Sequence, residues 1–153
     1  MVFNDLREFI EKAGELGEVQ VVEGADWDVE LGAISELKAA TPNSPLLLFD
    51  KIKGYPAGYR VASNPFASFK RTALGLDLPL EGSKKDQVKA MRSKLKKGFT
   101  PVSPVEVKSG PVKDNILVGD EVDVFKFPAP RWRADYHASS VAMRKAVHDH
   151  VYV

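Results

Sequence analysis

Pro45-Leu46-Leu47-Leu48-Phe49-Asp50 holds four consecutive apolar residues between a proline and an aspartate. A continuous apolar run of strand length predicts a short strand buried on both faces, with layers packed over it. That points to an α/β core, and the flanking segments supply the layers. Upstream, Asp28 stands as a cap, Glu30 falls in the first turn where the helix dipole favours negative charge, and Leu31, Ile34 and Leu37 recur at turn spacing. This helix must stop before Pro42. Glu18 to Val22 reads as an extended strand broken by Gly24. Before it, Leu6, Phe9, Ile10, Ala13 and Leu16 lie on one helical face, with Asn4 or Asp5 as cap and Gly17 as a left-handed stop.

Downstream, the turn formers from Lys53 to Gly58 precede a second extended stretch, Tyr59 to Ala62, which fits a hairpin or tight crossover. Asn64-Pro65 is expected to open a helix whose face is Phe66, Phe69, Ala73 and Leu74, ending near Gly75. Ser83 caps a further helix through Lys97, with the stripe Val88, Met91 and Leu95 and the stop Gly98. The fold expected is a single α/β (α+β) domain, a small mixed sheet packed by about four helices and followed by an extended proline-rich exit. Its core candidates are Leu6, Phe9, Ile10, Ile34, Leu37, Leu47, Phe49, Phe66 and Phe69.

Composition bounds the chemistry. The 153 residues suit one domain with a real core. Lys and Arg number 22 against 21 Asp and Glu, so net charge points to no class of partner. The absence of cysteine excludes a disulfide scaffold, a thiolate zinc site, an iron–sulfur cluster and a cysteine nucleophile. With no basic leader and no apolar run of about 18 residues, a soluble cytoplasmic protein is expected.

Few local patterns invite chemistry. His148-Asp149-His150 places two imidazoles on one side of an extended segment, with His137 as a third potential metal ligand, although a polar tail explains them as well. The seven basic residues from Lys84 to Lys97 suit phosphate contacts, but no aromatic residues interleave to stack bases. A solvated helix face and no nucleic-acid partner are expected there. Asp26, Asp28 and Glu30 fit acid–base work less simply than helix capping. Ser139 and Ser140 near His137 lack a nucleophile elbow, and the glycines match no nucleotide loop.

From Pro101 the chain changes to short extended pieces and turns. A turn at Gly110-Pro111, a short strand at Ile116 to Val118, a turn at Gly119-Asp120 and an aromatic-proline clamp ending in Arg131-Trp132 are expected. Such a clamp pins an interdomain path more readily than it lines a pocket, because few of its groups can move protons.

This segment resembles the signature that precedes the cofactor domain in the UbiD family of reversible decarboxylases, with Phe125-Lys126-Phe127-Pro128-Ala129-Pro130-Arg131-Trp132 as its end. Asp5-Leu6-Arg7-Glu8-Phe9-Ile10, Gly17-Glu18-Val19, Asp26 to Ile34, Leu46 to Asp50 and Ile52-Lys53-Gly54-Tyr55-Pro56 agree with that family in order. The resemblance covers roughly residues 1 to 132, and several ordered motifs are more specific than any one. It implies carbon dioxide removal or addition on aromatic, heteroaromatic or α,β-unsaturated acids, with prenylated FMN, manganese and potassium as cofactors and a flavin prenyltransferase as supplier of the flavin. The cofactor then carries the covalent chemistry while the protein orients substrate and supplies a proton.

In that family the catalytic glutamate with its arginine partner and the metal ligands lie in a split barrel beyond the signature. The stretch after Trp132 departs from the family's glycine-rich strand, so no catalytic, cofactor-binding or metal residue carries over to this chain. The implied organisation is an N-terminal α/β domain over residues 1–110, a linker over 111–132 and a divergent tail over 133–153 without the barrel. A reading-frame change, a truncation or a separately encoded subunit would each produce that tail. Two expectations follow: a non-catalytic N-terminal domain or subunit whose partner is a UbiD-like catalytic chain or a second copy, or a stand-alone α/β binding module.

Overall fold

The computed structural model describes residues 3–98 and 100–133. His137, Ser139, Ser140, His148 and His150, named above as potential ligands or nucleophiles, therefore lie outside the described residues.

Helix α1 (Leu6–Glu15) is capped by Asp5, whose carboxylate accepts from the Glu8 amide at 2.9 Å. It ends as expected at Gly17, with φ +72°, where the Glu18 amide closes back on the Ala13 carbonyl at 2.9 Å. Strand β1 (Val19–Glu23) leads through α2 (Glu30–Ala39) to β2 (Leu46–Asp50), which pairs parallel to β1 with Val19 opposite Leu46. Strand β3 (Val61–Ser63) returns antiparallel, Leu48 facing Ala62, so the sheet is mixed, in the order β1-β2-β3. Helices α3 (Phe69–Gly75) and α4 (Lys84–Lys96) complete the unit.

The central strand decides the layering. Leu47 and Phe49 point into a cluster with Leu31 of α2, Ala25 and Ile52, whereas Leu46 points into another with Phe9 and Ala13 of α1 and Leu74 of α3. Alternation along one strand thus feeds two cores on opposite faces, and each face needs its own helical cover.

Arg71 of α3 holds three loops to this sheet. Its guanidinium is fully buried and donates to the carbonyls of Pro65 (3.0 Å), Asn64 (3.1 Å), Ser44 (2.6 Å) and Glu18 (3.4 Å), and to the Glu18 carboxylate at 2.7 Å. A buried charge is tolerated when its donors are used in this way. Pattern reading missed this residue, because a lone arginine on an apolar helix gives no signal of its own.

Several expectations are corrected. Leu6, Leu37, Phe66 and Phe69 are exposed, between 52% and 72%, rather than core. Leu37 fails because α2 turns Leu31, Gly32 and Ser35 inward, an arc of about 100° that excludes position 37. Phe69 is the first residue of α3 and lies under the Lys84 ammonium, 4.3 Å from the ring centroid. Phe66 precedes that helix and tilts onto Phe9 at 5.4 Å, while Leu6 sits on the first turn of α1, ahead of its buried residues.

The helix expected at Asn64-Pro65 starts only at Phe69, capped by Ser68. Asn64 has φ +56°, outside the extended region that a cap requires, and donates instead to the Ser35 carbonyl at 2.9 Å. Ile116 to Val118 is no strand. These residues are exposed between two short 3₁₀ turns, Pro111–Lys113 and Gly119–Glu121, and among the described residues no strand pairs with them to complete a ladder. Among the described residues no helix is long and apolar enough to cross a membrane.

Candidate functional site

The exit segment is fastened to the start of α2, and the fastening is built from sequence-local features. Asp26 accepts from the Asp28 amide at 2.9 Å, and the Glu30 carboxylate accepts from the Asp26 amide at 2.7 Å. This tight turn puts Val29, not Asp28, at the cap of α2, with φ +71° and no side-chain cap bond. A β-branched residue in that region is strained. The turn also leaves the Val29 amide and the Trp27 carbonyl facing outward.

Arg131 takes both. Its amide donates to the Trp27 carbonyl at 3.0 Å, its carbonyl accepts from Val29 at 2.9 Å, and its guanidinium pairs with the Asp28 carboxylate. Trp132 then lies across α2 at Gly32, where a Cβ would come 2.1 Å from the Trp132 carbonyl oxygen. Only a residue without a side chain admits that approach. One turn on, the Glu36 carboxylate accepts from the Trp132 indole at 2.8 Å and the Arg133 guanidinium at 2.7 Å. Pro128 is buried behind the latch, and the Phe127 ring meets Tyr59 edge-on at 6.2 Å. The aromatic-proline clamp therefore pins a chain path.

The Arg133 guanidinium, aided by the Trp132 indole, holds the Glu36 carboxyl below the usual glutamate range. A depressed folded value means that this contribution is fully present above the unfolded value and is lost as pH falls through the folded one. In a Trp27→Phe background, Trp132 emission is expected to shift red on acidification. Glu36→Gln should show red emission already at neutral pH and no acid transition from this group; an unchanged acid transition would count against the assignment.

The Asp26, Asp28 and Glu30 carboxylates are thus committed to the turn and to Arg131, and Asp26 also pairs with Lys53 at 3.1 Å. The Asp28 amide, then Lys53, hold the Asp26 carboxyl below its ordinary range. Among the described residues no three His, Cys, Asp or Glu side chains converge on a metal position. The described donor set does not fit manganese, and no step of flavin chemistry is assigned to it.

The basic helix is anchored at both ends, and none of its residues is buried. Ser83 and Asp86 form a capping box, and Lys94 donates to the Leu76 carbonyl at 2.7 Å at the end of α3. A cleft of about 610 Å³ between α3, α4 and the loop before β2 includes Glu18, Ser68, Lys84 and Phe69. Glu18 is held by Arg71 and by Ser68 at 2.8 Å, so its charge serves the fold.

The family model for the 3-octaprenyl-4-hydroxybenzoate carboxy-lyase N-terminal domain, UbiD_N, matches residues 7–91, more than half of the chain. The chain belongs to the UbiD family. It is 29% identical over 134 residues to pyrrole-2-carboxylic acid decarboxylase of Pseudomonas aeruginosa, covering 82% of this chain and 26% of that protein. It is 30% identical over 147 residues to phenolic acid decarboxylase of Sedimentibacter hydroxybenzoicus, covering 95% and 30%. The solved vanillic acid decarboxylase of Sedimentibacter hydroxybenzoicus in open form, with truncated ShVdcD, superposes with a TM-score of 0.73 at 30% identity over 88% of this chain and 29% of that one. The chain thus spans less than a third of the length of these relatives.

Proposed function

We propose that this chain is the N-terminal, non-catalytic domain of a UbiD-type reversible decarboxylase acting on aromatic, heteroaromatic or α,β-unsaturated carboxylic acids. Residues 1–110 form the folded unit, 111–132 lead toward a flavin-binding split barrel, and 133–153 are a divergent tail. The supporting observation is the latch: backbone bonds on both sides of Arg131 and the close approach at Gly32 fix the direction in which the chain leaves the domain. A domain built to aim its exit segment suits a role in positioning a neighbour. Prenylated FMN, manganese and potassium belong to the barrel in this reading, with a flavin prenyltransferase supplying the cofactor in the cytoplasm. The partner is a UbiD-like catalytic chain or a second copy.

The test is flavin retention. Incubated with prenylated FMN and manganese and then desalted, the purified chain is expected to keep no flavin absorbance, and stoichiometric retention would overturn the non-catalytic assignment. The DNA immediately downstream supplies an independent check. A barrel-coding frame opening with a glycine-rich strand is expected there, and its absence from the neighbourhood would remove the subunit reading.

A further inference from the structure

A groove of about 400 Å³ lies on the face of the sheet away from α2, between α1 and the β2–β3 pair. Its size falls within the range of small-molecule sites. Leu48 and Ala62, directly opposite each other in the antiparallel register, form the floor, and the short Ala62 side chain leaves the depression. Leu6 and Ile10, one helical turn apart on α1, form an apolar wall. Gly58, with φ +98°, makes the turn at the opposite rim without adding a side chain.

Three charged residues line this groove. Asp5 is engaged by the Glu8 amide at 2.9 Å and lies 3.6 Å from Arg7, so its charge is largely answered. Arg7 is otherwise exposed, and Arg60 has no ion-pair or hydrogen-bond partner for its side chain among the described residues. An exposed apolar wall beside two guanidinium groups, one of them unanswered, suits a ligand with an apolar body and one carboxylate, because a guanidinium receives a carboxylate in fork geometry. Leu6, exposed at 57% and unexplained by the core, is accounted for as part of that wall.

We propose that this groove binds a small monocarboxylate with a branched or cyclic hydrocarbon body, Arg60 receiving the carboxylate and Leu6, Ile10, Leu48 and Ala62 taking the hydrocarbon. The assignment stands independently of the decarboxylase reading, since no residue of the latch takes part.

The test is a methyl and arginine side-chain NMR titration of the full chain with cyclohexanecarboxylate, at constant ionic strength. Saturable shifts at Leu6, Ile10, Leu48 and Arg60 are expected in the millimolar range, with about tenfold weaker binding of the neutral isostere cyclohexylmethanol. Arg60→Gln removes no bond within the fold, so its backbone spectrum should persist while affinity for the carboxylate falls about tenfold. The absence of saturable shifts up to ~20 mM would overturn the site, given the affinity ceiling for so small a ligand. Equal affinity for acid and alcohol, or for wild type and Arg60→Gln, would overturn the role of the guanidinium.

Discussion

Arg71→Met should lower the unfolding free energy by about 3–5 kcal/mol, a large share of the 5–15 kcal/mol typical of a domain. Methionine is close in length and apolar, so the loss is not a matter of volume. What is lost is a guanidinium that bonds four carbonyls and the Glu18 carboxylate at once, drawing together the entry to β1, the loop before β2 and the link to α3. The abandoned acceptors are largely screened from solvent, and each one left unsatisfied costs about 1–3 kcal/mol. Arg71→Lys should recover little, because one ammonium cannot reach acceptors spread around a planar fork. The second variant that locates the cost is Arg71→Met with Glu18→Gln. If the stranded carboxylate dominates, the pair will be more stable than Arg71→Met alone. Urea denaturation followed by circular dichroism measures both, and a loss under ~1 kcal/mol for Arg71→Met would sink the account.

Gly32→Ala should free the exit segment. In an ordinary helix interior this change stabilises by about 1 kcal/mol, because alanine restricts the unfolded backbone and propagates the helix better. In α2 the new methyl would stand 2.1 Å from the Trp132 carbonyl oxygen, and backbone cannot yield as the end of a flexible side chain can. The segment must lift, breaking the two backbone bonds at Arg131 and the Glu36 bonds to Trp132 and Arg133. At about 1 kcal/mol per bond the latch loses several kcal/mol while α2 gains a little. The unfolding free energy should therefore fall by up to that net loss, while trypsin cleavage after Arg131 accelerates at least tenfold, a local opening of about 1.4 kcal/mol or more. Unchanged cleavage at Arg131 would show that Gly32 is not the seat.

Much of this architecture is legible in the chain itself. Asp5 and Ser83 announce their helices because a short polar side chain before an apolar period has one good use, accepting from a free helix amide. Gly17 and Gly98 end theirs with positive φ. The Leu46 to Phe49 run implies covered faces on both sides, since no other placement hides four consecutive apolar side chains. The exit clamp was readable as a pinned path from proline and aromatic content, and the family from the order of its motifs.

Other features needed the tertiary structure. Spacing puts Leu37 in the core, but a ten-residue helix turns inward whichever face its surroundings accept: Leu31 joins Leu47 and Phe49 of β2, and Trp132 covers Gly32. Gly32 carried one faint signal, a glycine inside a helical pattern, which costs stability unless something approaches closely. That the approaching group is Trp132, a hundred residues on, is a long-range fact. Arg71 gave no signal because four of its five acceptors are backbone carbonyls, which every sequence has. The sequence by itself determined most of the local elements, the caps at Asp5 and Ser83 and the family, since these depend on neighbours within a few residues. The tertiary structure alone decided which charge is buried, which leucines face water and where the exit segment docks, because those depend on acceptors and surfaces brought together only by folding.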